Sequence, residues 1–458
     1  MRVEGRKMLC GTKIPFAKLY TSQFGCIHVR YIFLALCCFP QLGIPLLTAQ
    51  SDFDFYQKPI QYQTAKDDNT ITRLKQAMQD GDVKLAFHPT RGYLDSILSA
   101  LQIPVNSQAL VFSKTSLQLR PINPTTPRAL YFNDSVYVGW VPGGDRLEFI
   151  ASDPTLGSVF YSLPQTAASA RLVRDKGECL QCHANRRTHE VPGPLVRSLY
   201  TSASGQPVYN FGNFLSDHSS PLHERWGGYY VTGTHGKMLH MGNMFVSRDD
   251  DVDNIDFSQG ANRLSLPRNV NEKLYPTKTS DIVALMVLEH QTQMQNLLSK
   301  AIYEERRAEH YDAVFGLNQN GGSDFTKRRI QRVVTELVDY LFFVDEFALT
   351  SPITGTSMFA RDFSKREPQT KSGQSLYQFD LNTRMFKHPL SYMVYTDTFK
   401  ALGPKTTAAL HRQINQILTG SISTTNESRF NHLTPEIRAS IRQILTETHP
   451  ELGKLFSN

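Results

Sequence analysis

The sequence predicts an α+β protein in which a strand-rich first half precedes a mainly helical second half. Short apolar runs separated by turn residues fill the first half, and apolar residues at helical spacing fill the second. Once an N-terminal leader is set aside, about 400 residues remain, which is more than one hydrophobic core usually holds. We therefore expect a mixed α/β domain over residues 51–270 and a helical domain over residues 271–458.

The first half begins with two short helices, which the spacing of apolar residues predicts over residues 71–78 and 92–101. Strand-like runs follow, at residues 109–112, 129–132, 136–140, 147–150 and 160–163. Turn residues separate several of them, as in residues 133–135 (NDS) and 142–145 (PGGD). Consecutive strands joined by short turns predict an antiparallel meander.

The second half has helical periodicity over residues 280–306 and again over residues 326–346. Pro404 can open a further helix that ends at Gly420, and residues 434–435 (TP) provide the N-cap and first turn of a last helix. On the first of these helices, Glu289 and His290 are adjacent, and we interpret them as part of an ordinary polar stripe.

The first fifty residues have the composition of a secretory leader that is removed from the mature protein. Six basic residues and one acidic residue accompany an apolar stretch over residues 31–47. The small residue Ala49 predicts cleavage nearby, and export predicts a periplasmic or otherwise extracytoplasmic location. An uncleaved anchor is the alternative, but the prolines and the short apolar core fit a leader better.

The basic charge of the chain belongs mainly to this leader. The whole chain carries 49 − 42 = +7, of which residues 1–50 contribute 6 − 1 = +5. The remaining +2 gives no reason to expect nucleic-acid binding. After the leader no segment reaches the roughly 18 uninterrupted apolar residues of a spanning helix, so we expect no stable membrane insertion.

Residues 179–183 (CLQCH) form the C-x-x-C-H pattern, which is the attachment signature of a c-type haem. The thiols of Cys179 and Cys182 can each bond one vinyl group of the same porphyrin, and His183 is then held beside the iron as proximal ligand. The other four cysteines lie in the leader, so no second pair remains for a zinc site. A thioredoxin-like redox pair is another interpretation of two cysteines at this spacing, but it does not require the histidine that follows them. We expect one covalent haem c.

The sixth iron ligand is expected from residues 235–244 (HGKMLHMGNM), because histidine and methionine are the usual axial ligands. Met241 is the preferred candidate and His240 the alternative, with His235 and Met244 as competitors. For each of them a core methionine or an ordinary histidine is the competing interpretation.

Basic and aromatic residues near the motif have two interpretations each. Arginines near the motif either neutralise haem propionates or form a solvated basic surface: Arg171, Arg174, Arg186, Arg187 and Arg197. Aromatic residues farther along either line the haem edge or belong to strand core: Trp226, Tyr229 and Tyr230.

Several further stretches resemble a group of large exported bacterial proteins that carry one cytochrome c-type haem site and have no assigned physiological role. The resembling stretches are residues 128–134 (RALYFND), 138–145 (VGWVPGGD), 224–228 (ERWGG), 337–346 (LVDYLFFVDE) and 379–387 (FDLNTRMFK). The resemblance implies haem binding and electron transfer.

We therefore expect a cytochrome that transfers single electrons to or from a redox partner protein. The alternatives are a peroxidase-like, haem-dependent oxidoreductase with an open distal position, and a haem sensor or structural haem protein. The sequence has no nucleophile elbow, phosphate loop or metalloprotease helix, so we expect no catalytic residues apart from the haem site.

Overall fold

The computed structural model describes residues 53–167, 170–317, 322–421 and 428–456. The predicted leader and its cleavage site lie outside these residues. From Phe53 onward the chain forms one compact unit. It has a strand-rich middle and a helical C-terminal half, which confirms the mixed α+β class. The predicted domain boundary at residue 270 stays a prediction.

A seven-stranded antiparallel sheet forms the centre of the unit, with the strand order β6-β5-β4-β3-β2-β1-β9. Its strands are β1 (Ala109–Val111), β2 (Arg128–Phe132), β3 (Val136–Trp140), β4 (Arg146–Asp153), β5 (Gly157–Pro164), β6 (Val173–Arg174) and β9 (Tyr229–Tyr230). Five of them occur where the sequence predicts strands, and the predicted meander is confirmed. Two small sheets pair β7 (Arg197–Leu199) with β8 (Asn213–Leu215), and β10 (Gly233–Thr234) with β11 (Thr354–Gly355).

The sheet has two faces because successive side chains of a strand point to opposite sides. On the face that we call the N-terminal face, Tyr161 accepts a hydrogen bond from Nδ2 of Asn69 at 2.8 Å. On the opposite face, which we call the motif face, the ring of Phe160 contacts the ring of His183. The motif face also contacts the long fourth helix, where Nε2 of Gln291 donates to Oη of Tyr137 at 2.9 Å.

The helices are α1 (Thr70–Asp80), α2 (Leu94–Ala100), α3 (Leu180–His183), α4 (Ile282–Val314), α5 (Asp324–Leu341), α6 (Phe359–Ser364), α7 (Asp397–Lys400), α8 (Pro404–Thr419) and α9 (Pro435–Thr448). Asp281 caps α4 by accepting hydrogen bonds from the amides of Val283 and Ala284. The predicted helices over 280–306 and 326–346 are confirmed as α4 and α5, which pack against each other.

Helix α4 is buried around most of its circumference. The interpretation of Glu289 and His290 as an ordinary polar stripe is therefore wrong, since both are fully buried. Their partners come from another part of the chain. Among the described helices, none has both the length and the apolar character needed to cross a bilayer.

Candidate functional site

The C-x-x-C-H motif forms a single helical turn at the edge of the motif face. The amide of His183 donates to the carbonyl of Cys179 at 3.0 Å, and the amide of Cys182 donates to the same carbonyl at 3.2 Å. Ahead of the turn, Oδ2 of Asp175 accepts hydrogen bonds from the amides of Gly177 and Cys179. The carboxylate thereby fixes the start of the turn that carries both thiols and the imidazole.

Both cysteines are free thiols and differ in exposure: Cys179 is half-buried and Cys182 is exposed. Burial is the main reason why the pKa of Cys179 is raised to about 12, and the nearby carboxylates of Asp175 and Glu148 add to the effect. Cys179 is therefore a neutral thiol at physiological pH. The turn presents one sulfur toward the protein interior and one toward solvent.

The imidazole of His183 is oriented by a hydrogen bond to the backbone. Its Nδ1 lies 2.9 Å from the carbonyl oxygen of Gly193. Because a carbonyl only accepts hydrogen bonds, Nδ1 carries the hydrogen, and the lone pair is on Nε2. Burial lowers the pKa of His183, although the Gly193 carbonyl raises it. The side chain is thus a neutral imidazole with Nε2 available for a metal.

The carbonyl of Gly193 is itself held against α4. The amide of Gly193 donates back to the carbonyl of His183 at 2.8 Å, which closes a two-bond bridge. Next to it, Nδ2 of Asn296 on α4 donates to the carbonyl of Pro194 at 2.8 Å. Orientation of a metal-binding histidine by a backbone carbonyl is common in metal sites. Sequence reasoning missed Gly193, because a carbonyl partner has no residue signature.

These observations fit a haem on the proximal side. The two thiols share one turn with a histidine whose tautomer exposes Nε2, and those are the three side chains that c-type attachment uses. The described residues contain no group of three or more His, Cys, Asp or Glu side chains arranged to hold a metal ion. If a haem is bound, Cys179, Cys182 and His183 are the residues that would hold it.

The preferred distal candidate, Met241, is buried in the protein interior. Its Sδ lies 3.4 Å from Oγ of Ser198, which donates a weak hydrogen bond to the sulfur. Its amide donates to the carbonyl of Arg225 at 3.0 Å. The thioether is thus held in place between β7 and the segment that precedes β9.

The alternative candidate, His240, is also buried, and its Nδ1 has no hydrogen-bond partner in the part of the chain that the structure describes. Burial, aided by the neighbouring His235, lowers the pKa of His240 to about 3. The competing His235 accepts a hydrogen bond at Nε2 from the amide of Asn262 at 3.0 Å. In the described residues, no hydrogen bond or ring contact joins His183 to Met241, His240 or His235. The distal ligand stays a prediction.

Three of the aromatic and basic candidates have defined partners. Trp226 donates from Nε1 to Glu289 at 3.0 Å, and Tyr230 donates to the carbonyl of Pro124 at 2.8 Å, so both belong to the core. Arg174 donates to the carbonyls of Tyr62 and Ala65 and is therefore already engaged.

A buried polar cluster that sequence reasoning missed lies between α4 and the segment before β9. Nδ1 of His218 and Nδ1 of His290 lie 2.8 Å apart, and Nε2 of His290 lies 2.8 Å from Oγ of Ser391. Burial lowers the pKa of both histidines well below the ordinary value. One shared hydrogen must therefore occupy the space between the two Nδ1 atoms.

An ion pair adjoins this histidine pair. The guanidinium of Arg225 contacts the carboxylate of Glu289, and both side chains are almost fully buried. Burial raises the pKa of Glu289, whereas Arg225 lowers it. Arg225 also donates to the carbonyls of Ser220 and His218, so the charge is surrounded by acceptors.

No protein-family model matches this sequence. Neither the characterised proteins nor the solved structures with which we compared it include a significant match.

Proposed function

We propose that this chain is an exported c-type cytochrome with one covalent haem, bound through Cys179 and Cys182 and ligated on the proximal side by His183. The observation that carries the proposal is the hydrogen bond from Nδ1 of His183 to the carbonyl of Gly193. It gives the histidine of a C-x-x-C-H turn the tautomer and orientation that an axial ligand requires.

The residues of the turn have separate tasks in attachment. Each thiol adds across one vinyl group, so that the sulfur bonds one vinyl carbon, the thiol hydrogen passes to the other carbon, and no atom is lost. The backbone bonds from Cys179 to Cys182 and His183 keep the three side chains on one turn. Bound haem supplies a one-electron couple, and the protein sets its ligands and surroundings.

We propose single-electron transfer to or from a redox partner protein as the activity. Buried thioether and imidazole groups at Met241 and His240 are of the kinds that make a haem iron six-coordinate. With either of these residues bound opposite His183, the haem would exchange electrons without binding a substrate. The carrier is therefore preferred over a peroxidase-like enzyme, which needs an open coordination position.

Haem attachment is tested by expressing the full chain together with a cytochrome c maturation system. Intact mass and the pyridine haemochrome spectrum should show one haem with both thiols consumed. Cys179→Ser and Cys182→Ser should each retain at most one thioether bond. His223→Ala, at an exposed histidine, is the control and should carry as much haem as the wild type. Purified wild type with two free thiols and no haem mass would refute the proposal.

The electron-carrier and peroxidase-like hypotheses are distinguished by adding carbon monoxide to the reduced protein and peroxide to the oxidised protein. A carrier should show slow or no ligand uptake in its visible spectrum and no peroxide turnover. Rapid carbon monoxide binding together with peroxide turnover would instead establish the oxidoreductase.

Export is tested by N-terminal sequencing of the purified protein. We propose cleavage near Ala49 and a periplasmic or otherwise extracytoplasmic location, because covalent haem attachment to exported bacterial cytochromes follows translocation. A cytosolic product that still begins at Met1, or at Met8 as an alternative start within the basic segment, would contradict this.

A further inference from the structure

The motif face of the sheet continues from His183 across several strands. The ring of His183 lies 5.2 Å from that of Phe160 on β5, measured between centroids. Ser162 lies two residues after Phe160 on β5 and therefore on the same face. Ser162 pairs with Glu148 on β4, and Glu148 pairs with Gly139 on β3. Residues directly opposite each other in antiparallel strands share a face. Gly139 pairs with Leu130 on β2, so His183 lies beside a row of residues that continues from β5 to β2.

Apart from Gly139, which is buried, this row is less covered than the reverse side of the same strands. Glu148, Ser162 and Leu130 are half-buried, whereas Phe149 and Leu163 on the N-terminal face are at most 1% exposed. The part of the motif face next to His183 thus keeps accessible surface on otherwise core strands.

Arg128 lies across this part of the face. A Cβ atom on Gly139 would come within 2.6 Å of Nη2 of Arg128, so the missing side chain at Gly139 leaves room for the guanidinium. Nη2 also lies 3.0 Å from Oε2 of Glu148. Oγ of Ser116 donates to the other carboxylate oxygen of Glu148 at 3.1 Å and holds it in place.

The guanidinium of Arg128 has an unused donor. Its Nε is buried and has no hydrogen-bond partner among the described residues. A guanidinium can serve two carboxylates at once, because its donors point in several directions in one plane. The Arg128 side chain as a whole is 22% exposed, so a second carboxylate can reach the guanidinium from its accessible side.

We infer that Arg128 binds a propionate carboxylate of the haem, while Glu148 holds the guanidinium across Gly139. The inference rests on the proposed function. It makes Arg128 a positioning residue that also sets the reduction potential, and it assigns the propionates to the motif face rather than to the arginines next to the motif in sequence.

The charges predict opposite effects on the potential. Ferric haem has one more positive charge than ferrous haem, so a nearby cation favours the ferrous form. Arg128→Gln should therefore lower the potential and Glu148→Gln should raise it. We expect each to change the ferrous-to-ferric ratio by about threefold to tenfold, where tenfold corresponds to about 59 mV for one electron.

The experiment measures the potential by redox titration and the propionate bending band by resonance Raman spectroscopy of the haem-loaded protein. Arg128→Lys keeps the charge but lacks the planar donor group, so its potential should move less than that of Arg128→Gln while the propionate band still shifts. Arg91→Gln is the matched control, since Arg91 is also 22% exposed and pairs with a carboxylate, that of Asp95. It should change neither readout.

The outcomes distinguish the two proposals. A wild-type protein without haem overturns both. Haem-loaded variants at Arg128 with the wild-type potential and propionate band overturn the propionate assignment alone. Should Arg128→Gln fail to fold, Glu148→Gln still decides, because an unchanged or lowered potential in that variant contradicts the assigned charge arrangement.

Discussion

Gly193 lies directly against Asn296, so that a Cβ atom on Gly193 would come within 1.9 Å of Oδ1 of Asn296. This close approach brings the carbonyl that orients His183 onto the surface of α4. The helix therefore does more than cover the sheet, because a side chain in its buried middle fixes the backbone that holds the proposed proximal ligand.

Gly193→Ala should destabilise the protein by about 1–3 kcal/mol, the usual cost of adding a methyl group to a fully packed site. The side chain of Asn296 must move, which weakens its hydrogen bond to Pro194. Chemical denaturation measures the loss. In the haem-loaded protein the visible spectrum should also change, because the carbonyl that holds His183 is displaced.

A double-mutant cycle provides the control for this prediction. Asn296→Ala removes the side chain that the new methyl group meets, so Gly193→Ala should cost less in that background. If the two substitutions prove additive, the contact between Gly193 and Asn296 does not determine the stability of this segment.

Much of the fold could be predicted because its signals are local. The strand predicted over residues 136–140 matches β3 (Val136–Trp140), which is bounded by turn residues on both sides. The helix predicted over residues 280–306 matches α4, which extends farther, to Val314. Strand β9 could not be predicted, since its two residues are too few for a periodic pattern and pair with β1 far away in the sequence.

The candidate site was predictable only where one short motif carries the chemistry. Residues 179–183 form a contiguous motif that can be recognised in the sequence. The residues of the buried cluster, in contrast, come from distant parts of the chain. His218 and His290 are 72 positions apart, and Arg225 and Glu289 are 64 apart. On the helix alone, Glu289 and His290 look like solvent-facing residues. Only tertiary packing shows that each has a buried partner.

Glu289→Ala should destabilise the protein by about 3–5 kcal/mol, because it leaves the buried guanidinium of Arg225 without its counter-charge. Chemical denaturation at neutral pH tests this. The more exposed ion pair between Lys300 and Glu336 provides the comparison. Glu336→Ala should cost about 0–1 kcal/mol. Equal losses for the two substitutions would contradict the assigned burial of the Arg225–Glu289 pair.

The buried histidine pair should make the protein less stable in acid. Burial lowers the pKa of His218 below 6.5, and the charge of Arg225 lowers it further. Burial also lowers the pKa of His290 below 6.5. The neighbouring His218 lowers it further, whereas Asp217 raises it. Tyr340 stacks on both rings. As the pH falls below 6.5, the unfolded chain binds protons that the folded chain excludes. Stability is therefore fully present above 6.5 and is lost below it, by up to about 1.36 kcal/mol per pH unit for each histidine.

His218→Gln removes one of these groups, so the free energy of unfolding should vary less steeply between pH 6.5 and 5. The slope is the relevant readout, since a variant that merely packs poorly is less stable at every pH. His223→Gln, at an exposed histidine, should retain the wild-type slope. A wild-type slope in His218→Gln would show that the pair does not exclude protons.

Met241 is expected to be the distal ligand, so Met241→Ala should remove the sulfur-to-iron charge-transfer band of the ferric protein and lower its potential, because thioether ligation favours ferrous iron. His240→Ala should leave that band intact. Ser198→Ala removes the hydroxyl that donates to the sulfur at 3.4 Å and accepts from the amide of Gly227 at 2.7 Å, so it should shift or weaken the band without abolishing it. If the band is absent from the wild type, or survives Met241→Ala, the sulfur of Met241 is not bound. If the spectrum then changes in His240→Ala, the imidazole of His240 is the ligand. If the spectrum is unchanged in both Met241→Ala and His240→Ala, neither residue binds the iron, and the enzyme with an open coordination position is favoured.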